Sequence, residues 1–298
     1  MFCLVFHLVS GICHVRFISL FRYEHKSTSR CLPIKEFQPS AIKVLTALFF
    51  GLLLGVAAGL IGVGGGEFRM PILLYVIGLP TITAIAVNLL VGLLTVIVSF
   101  LTRFQLGLLN GHSINLALNM SATSIVGAYL GALLTGKIPE KPLKKVLTIF
   151  LIAVGLKIGF EPFIEQPFTF ALKLGVWEEA FLAALVGLAI GVISGTLGVA
   201  GGEFRIPALI YIFGLGTRAA GTTSLLVSIP TVASGFLKHH DMGHIDKKAA
   251  IIAAAMGVSS IIGAFVGASY AATVREDDLK VLLGIILVLA TVRMITKP

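Results

Sequence analysis

Eight stretches of about 20 mostly apolar residues each recur along the chain, at 41–60, 83–102, 113–135, 143–160, 179–197, 217–237, 249–272 and 279–296. That length matches the hydrocarbon core of a bilayer, and a helix crossing lipid satisfies its own backbone groups. With 57% hydrophobic and 12% charged residues among 298, and a mean hydropathy of +1.01, the composition excludes a water-soluble surface. The expected fold class is all-α, a polytopic helical membrane protein. The net charge of +9 does not point to nucleic acid, because Lys and Arg cluster in the tails and between apolar runs, where membrane topology uses them.

The chain is also duplicated. Shifted against itself by 136 residues, "GLIGVGGGEFRMP" from Gly59 falls on "GTLGVAGGEFRIP" from Gly195, with nine identities in thirteen positions. The same shift lays Gly51, Gly55 and Gly59 on Gly187, Gly191 and Gly195, and "GAYLGA" from Gly127 on "GAFVGA" from Gly263. Glycines four apart share a helix face and let backbones approach closely, so their first role is packing in lipid.

Loop charge predicts how the halves are oriented. Lys137, Lys141, Lys144 and Lys145 crowd one loop, whereas its repeat equivalent mixes Arg275 and Lys280 with Glu276, Asp277 and Asp278. The preceding loop has the opposite bias, with Arg103 in the first half against Lys238, Lys247 and Lys248 in the second. Equivalent loops facing opposite sides require an odd number of segments per half. Segments 71–79 and 207–215, opened by Pro71 and Pro207 and too short to cross, supply the fifth as short, broken or re-entrant helices. The expectation is two inverted repeats of about five segments each. Residues 1–40 form a cytoplasmic or interfacial tail, 41–160 the first repeat, 161–178 a linker whose Glu161, Glu165 and Glu178 lie outside together with the adjoining Glu179, and 179–298 the second repeat. Both termini are then cytoplasmic in a multi-pass protein of the cytoplasmic membrane.

Inverted repeats with matching broken helices place a transport site between the halves. Consecutive glycines disfavour helix, so Gly64, Gly65 and Gly66 with Gly201 and Gly202 are expected to be unwound, and unwound backbone in lipid survives only when buried or lining a polar path. Helix N-termini favour anions, and Arg69 and Arg205 add forked donors suited to sulfonate, sulfite or carboxylate oxygens. Glu67 and Glu203 admit two readings, as ion-pair partners of those arginines or as carboxylates that exchange a proton. Asn88 and its counterpart Ser224, with Thr95, Thr231, Thr222 and Thr223, put polar groups in the next long helix of each half.

These glycine-rich motifs, each followed by an apolar stretch and by Gly78 or Gly214, resemble the TauE/SafE family of membrane transporters, over about residues 44–294. The resemblance implies movement of sulfite or organosulfonates across the cytoplasmic membrane, typically outward, with Gly64, Gly65, Gly66, Pro71, Gly201, Gly202 and Pro207 at the motif positions. The Glu-Phe-Arg triplet departs from the apolar residues that many relatives carry there.

The partners expected are a small anion and the lipid bilayer, with no nucleic acid; pairing into a homodimer stays open. No cofactor or metal is expected. The main rival is a divalent-metal transporter, prompted by His239, His240, Asp241, His244 and Asp246 in "KHHDMGHID", whose spacing is weak and whose loop reads as solvated. An intramembrane enzyme would need a nucleophile or metal motif such as GxSxG or HExxH, and a phosphate loop would need Lys and Ser/Thr after the glycines; the sequence has none of these. A bare scaffold would not account for two charged motifs at matching positions. Cys3, Cys13 and Cys31 make no disulfide framework.

Overall fold

The computed structural model describes residues 39–134, 140–163, 175–197, 199–241 and 247–296. Among them stand ten α-helices: α1 (Ala41–Ile61), α2 (Gly66–Pro71), α3 (Thr81–Gln105), α4 (Gly111–Leu134), α5 (Glu140–Phe160), α6 (Val176–Leu197), α7 (Gly202–Tyr211), α8 (Thr217–Asp241), α9 (Lys247–Tyr270) and α10 (Glu276–Thr296). The protein is all-helical in the described residues, and the pattern long, short, long, long, long occurs twice. All eight apolar runs are helices, and five, α1, α3, α6, α8 and α9, contain a stretch long and apolar enough to cross a membrane.

Local chemistry sets the ends of these elements. Ser40 caps α1, its side chain accepting from Lys43 N at 3.4 Å, and Gly62 closes α1 at φ 94°, its amide donating to Ala58 O at 2.8 Å. Pro71 has no amide to give, and a π-helical turn over Ile72–Ile77 follows it before Gly78 ends the segment.

The halves interlock helix for helix. α1 packs on α9 and α6 packs on α4, so the first helix of each repeat lies against the fourth of the other. Gly51, Gly55 and Gly59 press against Met256, Ser260 and Ala264, while Gly187, Gly191 and Gly195 press against Met120, Ser124 and Ala128. Those two sets of neighbours are related by the same 136-residue shift. Residue numbers rise together across both contacts, so each pair runs parallel. The self-equivalent pairs run the other way: Arg103 near the end of α3 reaches Arg218 and Thr222 at the start of α8, and Leu89 earlier in α3 lies against Gly235 late in α8. α5 and α10 are likewise antiparallel, Gly155 lying against Leu287 and Gly159 against Gly284.

Burial is inverted relative to a water-soluble bundle. α1 turns Ile42, Leu45, Phe49 and Leu53 outward, and α6 does so with Phe181 and Leu185, while Arg69, Asn88, Thr95, Ser99, Arg103, Glu203 and Arg205 are buried. That distribution suits a hydrocarbon surround.

Two charged residues expected between apolar runs are interior. Arg103 is fully buried in the last turn of α3 rather than in a loop. Its Nη1 donates to Gly59 O (3.2 Å) and Leu60 O (3.3 Å), two of the final carbonyls of α1, its Nη2 donates to Arg218 O (2.9 Å) and its Nε to Thr222 Oγ1 (3.0 Å). A helix leaves its last carbonyls without internal partners, so this guanidinium caps α1 and joins it to α8. Arg103→Ala is expected to orphan them at about 1–3 kcal/mol in total and to lower the melting temperature in detergent by about 10 °C; Arg103→Lys, which keeps a donor and a charge, is expected to fall between. Glu161 is also buried, accepting from Tyr211 Oη at 2.8 Å and from Lys280 Nζ at 2.6 Å. It ties the end of α5 to α7 and α10.

Candidate functional site

The two glycine-rich segments meet. After α1 ends at Ile61 the chain turns back beside it, so that a methyl group on Gly65 would lie 3.3 Å from Ala58 Cβ and 3.4 Å from Leu54 O. At Gly202 any side chain would collide with the carbonyl of Val63 in the other repeat, and a methyl on Gly64 would stand 3.4 Å from Ala200 Cβ. On the opposite flank Gly62 abuts the backbone of Gly221 in α8. Glycine is required at this crossing for close approach, and at Gly65 and Gly201, with φ of 70° and 72°, also for conformation.

The short helices begin earlier than the prolines predict. Gly65 and Gly201 are the N-caps, Gly66 and Gly202 are the first helical residues, and the Glu-Phe-Arg triplets occupy the first turns. Pro71 ends α2, and Pro207 lies inside α7. The reason lies in the caps: once glycine takes the left-handed conformation the next residue can start a helix, and the triplet's side chains are helix-compatible. Among the described residues, unwound backbone is thus residues 62–65 in the first motif and 199–201 in the second, leaving Gly66 and Gly202 helical.

Arg69 and Arg205 are fully buried and occupy matching positions. Arg69 Nη2 donates to Gly64 O (3.1 Å) and Thr95 Oγ1 (3.4 Å), and its Nη1 donates to Asn88 O and Asn88 Oδ1, both at 3.4 Å. Arg205 Nη2 donates to Ala200 O (3.4 Å), and its Nη1 to Ser224 O (3.1 Å) and Ser228 Oγ (2.7 Å). Each guanidinium therefore binds the carbonyl five residues before it and a carbonyl of the following long helix, and these bonds all run to neutral oxygens. The Nε of each is buried without a hydrogen-bond partner.

The glutamates differ between copies. Glu67 is half-buried, whereas Glu203 is fully buried and neither of its carboxyl oxygens accepts a hydrogen bond from another residue. Arg205, the expected ion-pair partner, spends its Nη donors on main chain and Ser228. Glu67 and Glu203 lie within electrostatic reach of each other, as do Glu203 and Arg205.

The remaining residues singled out from the sequence lie on α3 and α8. A methyl on Gly66 would lie 3.3 Å from Asn88 Nδ2, and Ser224 keeps a buried hydroxyl without a hydrogen-bond partner. Thr95 and Thr231 bond back to Val91 O and Val227 O, one turn earlier in their own helices. Thr222 serves Arg103. Sequence reasoning missed Ser228 and Gly221, because their repeat counterparts are Gly92 and Ile85 and no duplicated signal marks them. The metal reading falls on His244 and Asp246, outside the described residues, and on His239, His240 and Asp241 at the end of α8; among the described residues no group of three or more His, Cys, Asp or Glu could hold a metal ion.

The family described as sulfite exporter TauE/SafE matches residues 2–158 and 177–298, nearly the whole chain. The chain belongs to the TauE/SafE family. Among the curated relatives of this TauE/SafE protein, a probable membrane transporter of a Sinorhizobium species, ORF9, is 28% identical over 88% of the chain and 96% of its own length. The probable membrane transporter YdhB of Bacillus subtilis is 27% identical over 73% of the chain and 86% of its own length. Another from Methanocaldococcus jannaschii is 29% identical over 54% of the chain and 60% of its own length. No solved structure matches it significantly. The TauE/SafE chain is a multi-pass membrane transporter.

Proposed function

We propose that the chain carries a small anion of the sulfite or organosulfonate class across the cytoplasmic membrane by alternating access, with the anion held where the two glycine-rich segments touch. The observation that carries this reading is the contact of Gly202 with the Val63 carbonyl, which brings together the first turns of α2 and α7, each with its buried arginine. Two helix N-termini add partial positive charge to two guanidinium charges in a setting of low dielectric, where a negative guest is strongly favoured. Gly64, Gly65, Gly66, Glu67, Arg69 and Asn88 supply one half of the site, and Gly201, Gly202, Glu203, Arg205 and Ser224 the other.

The antiparallel courses of α3 against α8 and α5 against α10 support inverted repeats, since those helices are equivalent under the duplication. Charge supports the orientation. Lys43, Lys247 and Lys248 stand at the starts of the parallel helices α1 and α9, whereas α6 and α10, which start at the other end, open with Glu178 and Glu179 and with Glu276, Asp277 and Asp278. The lysine-rich end is cytoplasmic by the positive-inside rule, and with it the N-terminus of α1 and the C-terminus of α10.

The test is flux. Purified protein in liposomes is expected to take up radiolabelled sulfite or sulfoacetate with saturation and with competition by the unlabelled anion. Vesicles that admit a divalent cation but neither anion would replace this reading with the metal one.

A further inference from the structure

Glu203 stands apart from every other charged group at the crossing. It sits in the first turn of α7, is fully buried, and offers two carboxyl oxygens that no donor from another described residue meets. Conserving the triplet's chemistry has not conserved its surroundings, because the matching Glu67 is half-buried. The charged groups acting on Glu203 are Glu67 from α2 and Arg205 from its own helix. The other helices packed on α7 bring their charges elsewhere: Arg218 of α8 donates to Val274 O, Lys157 of α5 lies over the Tyr211 ring, and Glu178 and Glu179 of α6 lie at that helix's distant start.

An ionised carboxylate buried without a donor from any other residue is among the costliest groups a protein interior can hold. We propose that Glu203 is a proton-binding site coupled to anion movement: one carboxyl oxygen forms an O–H bond with a proton taken from water on the open side, and that bond breaks to return the proton to water on the other. The inference rests on the anion reading above. The sign of coupling follows from charge. Ionised Glu203 offsets Arg205 and repels an incoming anion, whereas neutral Glu203 leaves the guanidinium and helix charges uncompensated. Proton and anion therefore favour each other's binding reciprocally and travel together.

Two measurements test this. In lipid vesicles held at zero membrane potential, uptake of labelled methanesulfonate, whose charge does not change with pH, is expected to rise about tenfold when the outside is made acid, and this ratio is expected to fall to about one in Glu203→Gln. Uptake indifferent to the gradient in the wild type, or a gradient response kept by Glu203→Gln, overturns the proposal. Independently of any substrate, infrared difference spectra across a pH step are expected to show the carbonyl band of a buried carboxylic acid in the wild type and in Glu67→Gln but not in Glu203→Gln. A band that survives in Glu203→Gln, or that is absent from the wild type, overturns it as well. If methanesulfonate, sulfite and sulfoacetate all fail to move, the anion reading falls, and the infrared result alone decides whether Glu203 binds the proton.

Discussion

Arg205→Ala is expected to reduce anion flux by about 100-fold or more, the equivalent of losing about 3 kcal/mol of site stabilisation. The side chain is fully buried and donates to Ala200 O, Ser224 O and Ser228 Oγ, so its removal deletes a positive charge and takes the donor from Ala200 O and Ser228 Oγ together. It also leaves Glu203 with Glu67 as its remaining charged neighbour. Arg69→Ala is expected to be damaging for the same reason at Gly64 O and Asn88 Oδ1, but less so, because Glu67 is half-buried and retains contact with the surroundings. The measurement is initial uptake in vesicles, normalised to the folded fraction from gel filtration in detergent. Wild-type flux in both variants would make the arginines purely structural and remove them from the site. Arg205→Lys separates charge from geometry: it keeps the positive charge, but one ammonium cannot reproduce the fork that spans Ala200 and Ser224.

Gly195→Ala is expected to abolish folded protein altogether. A methyl there would penetrate the carbonyl of Ala128 in α4, and the neighbouring contacts of Gly187 and Gly191 leave α6 no room to slide away. Overpacking of this kind costs about 1–3 kcal/mol even where side chains can yield, and here the obstacle is backbone on a rigid helix. Gly59→Ala meets the Ala264 carbonyl across the symmetric contact and is expected to behave alike. The control is Gly111→Ala at the first residue of α4, where no atom lies within 4 Å and a gain of about 0.5 kcal/mol is expected from the loss of backbone freedom in the unfolded chain. Yield of monodisperse protein after detergent extraction reads all three. Folded Gly195→Ala in normal yield would show that α4 and α6 are not held at backbone contact in the membrane.

Much of this was legible in the residues. Apolar length marked the eight long helices, since lipid rewards nothing else. The 136-residue repeat marked two equivalent units, and the glycine spacing marked the packing faces, because a close helix crossing leaves few alternatives to glycine. The short helices were visible as interruptions, although their starts were misplaced by several residues: the left-handed caps at Gly65 and Gly201 weigh more than the preference of proline for a first turn.

Pattern could not say what each charge touches. Arg103, Glu161, Arg69 and Arg205 all read as charges near loops or as free donors, yet three of them are committed to main-chain carbonyls and one to Tyr211 and Lys280. A hydrogen-bond partner 44 or 115 residues away leaves no local trace. The difference between Glu67 and Glu203 is the sharpest case, for the triplets around them are identical in sequence.

The residues alone thus determined that this chain lives in lipid, that it is a doubled unit, and that a short helix interrupts each half, because hydropathy and glycine chemistry act over a few neighbouring positions. Only tertiary structure decided that the first helix of each half lies on the fourth of the other, that the two motifs touch at Val63 and Gly202, and that one glutamate of the pair is sealed without a donor from any other residue. Those outcomes depend on segments far apart in the chain coming to share one interior, and it is the interior that sets how much an unpaired charge costs.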